Sequence, residues 1–227
     1  MTIHQRSLPV SIDPDKLDRL AQAAVRVGLN LQEGQDLFLT APVAALPLVR
    51  KIAEHAYKAG AGLVTPILSD EEVTLARYRH AHDASFDRAA GWLHEGVAKA
   101  FANNTARLAI VGDDPMLLSE QDPAKVSRAS KANSVAYQPA LEKIAGFDIN
   151  WNILAYPTAA WARRVFPGDA EEVAVGKLAD AIFAASRVES GDPVAAWAAH
   201  NAALRGRTQW LNGQRFHALH FTGPGTD

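Results

Sequence analysis

Cysteine is absent from the 227-residue sequence. Its absence excludes disulfides, thiolate metal sites and thiol nucleophiles, so a bound metal would need His, Asp or Glu ligands. Long apolar runs are also missing. No stretch approaches the roughly 20 apolar residues of a membrane span, and the polar residues 1–10 lack the apolar centre of a signal peptide. We therefore expect a cytoplasmic protein that makes no contact with a membrane.

A dominant charge of either sign is missing too. The sequence has 23 Lys and Arg against 25 Asp and Glu, which gives a formal net charge of -2. No positive field exists to attract nucleic acid or anionic lipid, so neither is an expected partner. The hydrophobic share of 48% is typical of an ordinary globular protein with a sizeable core.

Short apolar runs alternate with helical patterns along the whole chain. Because parallel strands need long crossover connections, this alternation predicts an α/β fold. We expect one domain over residues 1–227, with a mainly parallel sheet of about five strands and helices on both faces, a three-layer Rossmann-like arrangement. Pro66 favours an edge position for the second strand. The predicted strands are Asp36–Thr40, Leu63–Leu68, Arg107–Val111, Asn152–Tyr156 and Phe216–Phe221.

Capping signals place the helices between these strands. Asp13-Pro14 before an apolar stripe predicts the start of the first helix, and Gly28 its end. Ser69 with Glu72 has the spacing of a capping box for the helix after the second strand. Further helical patterns cover residues 86–101, 123–145, 159–165, 170–186 and 193–211.

Two groups of residues have the chemistry of a possible site. His80 and His82 look like a metal pair, but on a helix their side chains would point about 200° apart, which favours a solvated helix end. Asp113 and Asp114 follow the third strand, at the edge of the sheet where α/β folds place ligands. Asp114 also precedes a proline, which is typical of an N-cap for the following helix. Both interpretations of the aspartates stay open.

Known catalytic signatures are missing. The sequence has no Gly-x-Ser-x-Gly nucleophile motif, and Gly60-Ala61-Gly62 and Gly223-Pro224-Gly225 lack the spacing of a nucleotide-binding loop. The residues by themselves predict an α/β domain and reveal no convincing active site.

Several segments, in the same order and spacing, resemble a known family. LAYPTAAWARRVFPG at Leu154–Gly168 and DPVAAWAAHNAAL at Asp192–Leu204 are similar to the N-terminal half of the aminopeptidase T family, peptidase family M29. The resemblance extends to shorter pieces at residues 17–27, 32–35, 45–49, 59–61, 122–125 and 225–227.

The resemblance implies a metal-dependent aminopeptidase, which hydrolyses N-terminal amino acids from peptides. In this family two divalent ions, zinc, cobalt or magnesium, are bound by Glu, His and Asp residues of a second domain. That domain follows the Gly-Thr-Asp segment with which this sequence ends, at residues 225–227. No position of this sequence matches those ligands, so we expect no catalytic residue, no metal ligand and no bound metal in this chain.

The resemblance also suggests a role for this half. We expect it to form a wall of the substrate cavity and a docking surface for the C-terminal catalytic domain. Tyr156, Trp161 and Arg163 are the candidate docking residues, because they are aromatic or basic and follow a predicted strand, although Trp161 equally fits an ordinary core position. The implied partners are the catalytic domain, a peptide substrate and a second copy in a homodimer.

Two other hypotheses remain. The first is a stand-alone, non-catalytic α/β module for binding or assembly. The second, weaker one is a small metalloenzyme that uses His80, His82, Asp113 or Asp114. If a partner domain is absent, an exposed apolar patch should also make the isolated chain self-associate.

Overall fold

Four strands form one parallel sheet in the computed structural model, which describes residues 12–189 and 191–225. Their order across the sheet is β2-β1-β3-β4, and each neighbouring pair is parallel. The predicted parallel α/β fold is therefore confirmed. The strands are β1 Leu37–Pro42, β2 Val64–Ser69, β3 Ala106–Val111 and β4 Trp151–Ala155.

Eight α-helices connect and cover these strands in the described residues. The first runs on into a π-helical segment at Ala24–Leu29, and short 3-10 helices lie at Val43–Ala45 and Asp83–Asp87. The α-helices are α1 Pro14–Ala23, α2 Leu46–Lys58, α3 Glu71–His80, α4 Gly91–Ala102, α5 Pro123–Ala145, α6 Ala159–Val165, α7 Glu171–Ala185 and α8 Pro193–Gln214.

An Asp-Pro pair begins three of the helices. Asp13, Asp122 and Asp192 each accept hydrogen bonds from amides of the first turn of α1, α5 and α8. The proline that follows each of them fits the first turn, where its missing N–H costs no hydrogen bond. The predicted cap of α3 is wrong by one residue: Asp70, not Ser69, accepts the hydrogen bond from the amide of Val73, at 3.0 Å.

Helices cover both faces of the sheet, as predicted. Alternate residues of a strand face opposite sides, so Leu37 and Leu39 of β1 lie in the larger core with residues of α1, α2 and α7. Phe38 faces the other side and packs against a smaller core, in which Phe101 of α4 lies beside residues of α5. The sheet is therefore the middle of three layers.

The β2 edge of the sheet is poorly suited to pairing. Leu37 donates to the carbonyl of Leu63 at 2.8 Å, so the amides of alternate positions, 64, 66 and 68, face outwards. Pro66 has no amide hydrogen, and the Tyr57 hydroxyl accepts from the amide of Val64 at 3.1 Å. The predicted edge position of Pro66 is confirmed, and with it a protected edge.

The predicted fifth strand is wrong. Residues 216–221 form no strand and are all exposed. They follow α8, whose 22 residues extend for about 33 Å, and no strand of the described sheet lies beside them. A strand-like pattern is not sufficient where no neighbouring strand supplies hydrogen bonds.

Among the described helices, none is both long and apolar enough to cross a membrane.

Candidate functional site

Asp114 connects three strand ends at the carboxyl edge of the sheet. Its amide donates to Glu71 Oε1, just beyond β2, at 2.7 Å. Its carboxylate accepts from Arg164 Nε, on the helix that follows β4, at 3.2 Å. The same carboxylate accepts from the amide of Met116 at 2.9 Å, within the turn after β3. One aspartate thus holds the loops after β2, β3 and β4 together.

Near Asp114, the carboxyl ends of β3 and β4 lie close to each other. The amide of Tyr156 donates to the carbonyl of Val111 at 2.8 Å. The buried Thr158 hydroxyl donates to the carbonyl of Gly112, and it also accepts from the amide of Trp161 at the start of α6. Thr158 therefore fixes both the β3 end and the first turn of α6.

Two groups at this edge have shifted pKa values. The hydrogen bond from the Met116 amide, followed by that from the Arg164 guanidinium, lowers the pKa of Asp114 below its ordinary value. Burial raises the pKa of the Tyr156 phenol. At neutral pH Asp114 is therefore an anion paired with a cation, and Tyr156 is a neutral side chain in the core.

We expect Asp114→Asn to lower the free energy of unfolding by about 0.5–1 kcal/mol at pH 7, because Arg164 is exposed and solvent screens the pair. The folded-state pKa of Asp114 is lowered, so the carboxylate stabilises the fold above its ordinary pKa of 3.8. That contribution is lost as the pH falls through the lowered value. Urea unfolding should thus separate wild type from variant at pH 7, but not at a pH well below 3.8, where the carboxylate is protonated in both the folded and the unfolded state.

Asp113 provides the matched control, because its side chain is exposed. Asp113→Asn should leave the free energy of unfolding nearly unchanged at both pH values. A difference between Asp114→Asn and wild type that persists at low pH would show that the charge of Asp114 is not what stabilises the loops.

The structure tests the prediction that Asp114 is the N-cap of the helix after the third strand. The carboxylate of Asp114 accepts from the amide of Met116 in a turn, and α5 begins only at Pro123, where Asp122 is the cap. The prediction that Asp114 caps the following helix is therefore wrong. It failed because a turn segment, residues 115–120, separates the third strand from that helix.

The pair His80 and His82 lies at a solvated helix end, which is the interpretation that the sequence favoured over a metal pair. His80 is the last residue of α3, His82 precedes a 3-10 helix, and both are exposed. Across residues 12–189 and 191–225, no three side chains of His, Asp or Glu are grouped as metal ligands would be. The described residues therefore do not fit a divalent ion, and no catalytic step is assigned to them.

The three candidate docking residues occupy different environments. Tyr156 is 6% exposed and belongs to the larger core, and Trp161 packs partly buried against that core. Arg163 is exposed, and its Nη1 donates to Glu171 Oε2 at 2.5 Å. Arg163 is therefore the most accessible of the three side chains, and its role in docking stays a prediction.

A large exposed surface covers the distal half of α8 and the segment after it, and sequence reasoning missed it. Every residue from 202 to 225, here called the arm, is exposed. The arm carries three arginines, and no Asp or Glu occurs between residues 193 and 225. A contiguous exposed apolar surface is typical of an interaction site. Its large apolar side chains, between 41% and 75% exposed, are Leu204, Trp210, Leu211, Phe216, Leu219 and Phe221.

The fold and this edge define a class of molecule, a doubly wound parallel α/β domain whose strand ends are held together by hydrogen bonds and one ion pair. Comparison with known proteins defines the family. The model for the thermophilic metalloproteases of family M29 matches residues 13–227. The chain therefore belongs to peptidase family M29, and the resemblance found in the sequence is confirmed.

Relatives in this family are named aminopeptidases. The chain is 51% identical to aminopeptidase T of Thermus thermophilus over 211 residues, which cover 93% of this chain and 52% of the relative. It is 36% identical to aminopeptidase 2 of Geobacillus stearothermophilus over 210 residues, 92% of this chain and 51% of that protein. The chain thus spans about half the length of the curated relatives it matches.

A solved structure agrees with the fold. Wild-type AmpT from Thermus thermophilus matches with a TM-score of 0.85 and 49% identity, over 92% of this chain and 51% of that chain. The three-layer arrangement is therefore shared with an experimentally determined member of the family.

Proposed function

We propose that this chain is the N-terminal domain of a metal-dependent aminopeptidase that removes N-terminal amino acids from peptides. In that enzyme it forms a wall of the substrate cavity and a docking surface for the catalytic domain. The observation that carries the proposal is a family match over residues 13–227, together with a relative at 51% identity of which the chain covers 52%. The proposal places the enzyme in the cytoplasm, as a homodimer.

The arm supports the docking role. Its apolar side chains project from the domain on the distal half of α8 and the segment after it. Residues 216–221 have the composition of a strand but lack a neighbouring strand. Both features are expected of a surface that another domain covers. The partner in this proposal is the catalytic domain, which would bury the arm.

Catalysis belongs to the partner domain in this proposal. Two bound divalent ions would polarise the scissile carbonyl and activate a water molecule. This chain would contribute by shaping the cavity and by excluding bulk water from it. The hydrogen bonds of Asp114 to Glu71 and Arg164 would keep the loops of the carboxyl edge in one arrangement while substrates enter and leave.

A chimera tests the proposal. Residues 13–227 would replace the matching half of aminopeptidase T of Thermus thermophilus. We expect the chimera to hydrolyse an aminoacyl anilide, to lose this activity with a chelator and to recover it with zinc or cobalt. The 227-residue chain by itself should show no turnover with the same metals.

Two results would contradict the proposal. Metal-dependent turnover by the isolated chain would favour a small independent metalloenzyme. A chimera that melts cooperatively and binds metal but turns over no substrate would favour the alternative, a stand-alone binding or assembly module.

A further inference from the structure

Among the residues that the structure describes, no strand pairs with the outer side of β4. The amide of Arg107 donates to the carbonyl of Asn150 at 2.9 Å, and the amide of Tyr156 donates to that of Val111 at 2.8 Å. In a parallel ladder, every second residue of a strand directs its backbone N–H and C=O to the same neighbouring strand. The backbone groups of positions 152 and 154 therefore also face β3. The N–H and C=O groups of positions 151, 153 and 155 therefore face outwards, at the open end of the sheet.

A cleft of about 320 Å³ lies directly against this open edge. Leu20 and Ala24 of α1 and its π-helical continuation form one side, and Leu154 of β4 forms another. Trp197 of α8 closes the cleft, and its indole N–H donates to the carbonyl of Ser186 at 2.8 Å. None of the residues that line the cleft is charged.

The two edges of the sheet differ in how they are protected. On the β2 edge, a tyrosine hydroxyl occupies one of the three outward amides and a proline removes a second. The β4 edge has neither: no proline occurs between residues 151 and 155, and Ile153 is 49% exposed. Proteins normally protect an exposed edge, because it is a template for another strand. An unprotected edge beside an apolar cleft is therefore suited to strand addition.

We propose that this edge and cleft bind an extended, uncharged peptide, which adds to β4 as a further strand. Donors and acceptors that repeat every two residues match an extended backbone, and the uncharged lining matches apolar side chains on alternate positions. The cleft is at the small end of the range for ligand sites, roughly 300–1,000 Å³, so it accepts side chains rather than a folded domain. Identifying this peptide as substrate rests on the proposed function.

The test is fluorescence anisotropy with a labelled hexapeptide of alternating Val and Thr, acetylated and amidated so that it resists aminopeptidases. We expect saturable binding to the 227-residue chain. A second peptide with the same side chains carries N-methyl groups on all of its internal amides, so neither edge of the peptide keeps the donors that strand pairing needs. It should bind at least tenfold more weakly.

Ile153 provides a matched pair of variants. Its amide faces outwards and takes no part in the β3 ladder, so Ile153→Pro removes an edge donor while the pairing with β3 remains. We expect at least a tenfold loss of affinity, whereas Ile153→Ala keeps the amide and should bind nearly as the wild type does. Val27→Phe, which fills the cleft, is a second route to the same loss if the proline variant melts early.

Equal binding of the N-methylated peptide, or full affinity in both Ile153→Pro and Val27→Phe, would overturn the inference. So would a dimer in sedimentation that Ile153→Pro separates and the peptide does not, because the edge would then belong to a second copy. Binding requires no turnover. An inactive chimera with intact peptide binding would therefore refute the proposed function alone, and an active chimera without peptide binding would refute this inference alone.

Discussion

Replacing Gly112 with alanine is expected to lower the free energy of unfolding by about 2–4 kcal/mol, because the new methyl group has no room. Its Cβ would lie 2.5 Å from the carbonyl oxygen of Tyr156 and 3.1 Å from Thr158 Cγ2. The backbone oxygen is held by the amide of Thr158, which donates to it at 3.0 Å. Relief of the overlap therefore requires the ends of β3 and β4 to separate.

Gly176 is the control for this substitution. It lies inside α7, and a Cβ there would meet no heavy atom within 4 Å. Gly176→Ala should raise the free energy of unfolding by about 0.5–1 kcal/mol, because alanine loses less conformational entropy in a helix. Urea denaturation measures both changes. A Gly112→Ala variant as stable as wild type would show that the strand ends are not packed as described.

Local signals explain why most elements were predictable. The apolar composition of residues 107–111 and the Asp-Pro pairs before α1, α5 and α8 act within a few residues of the chain. Pro66 marks an edge for an equally local reason, since it cannot donate to a ladder. The four observed strands all lie within two residues of predicted ones.

The failures involve distant parts of the chain. Residues 216–221 have a strand-like composition, but membership of a sheet depends on a neighbour that local composition does not reveal. Asp114 was interpreted as a helix cap, whereas its partners Glu71 and Arg164 are 43 and 50 residues away. Contacts at such separations depend on the tertiary fold.

A buried polar side chain, that of Gln35, also has partners that the local sequence does not reveal. Gln35 is 6% exposed, and its amide donates to the carbonyl of Asn104 at 2.8 Å. The side-chain carbonyl oxygen of Gln35 accepts from the backbone amide of Gln32 at 3.2 Å. In the sequence Gln35 belongs to a polar turn, and only the fold places Asn104 beside it. The exposure of the arm was equally hidden, because its apolar residues resemble those of a core helix.

The arm is the second feature for which we expect a large effect. Trp210 and Phe216 are 64% and 56% exposed. Burial of such side chains contributes about 1.5–3 kcal/mol each, so their joint replacement by serine should weaken docking by about 3 kcal/mol or more, roughly a hundredfold. The same change should leave the melting temperature of the isolated chain nearly unaltered.

Trp92 is the matched control, since it is 78% exposed but lies on α4, away from the arm. Trp92→Ser should not affect turnover by the chimera with aminopeptidase T. Trp210→Ser with Phe216→Ser should instead produce two separate melting transitions in the chimera and reduce its turnover at least tenfold.

The kcat of the chimera with and without the two arm substitutions is the most direct test of the central claim, that this chain serves a metallopeptidase by docking on its catalytic domain. The account predicts a loss of at least tenfold in kcat, with metal still bound to the catalytic domain. Unchanged turnover in the arm variant, or an equal loss in Trp92→Ser, would contradict it.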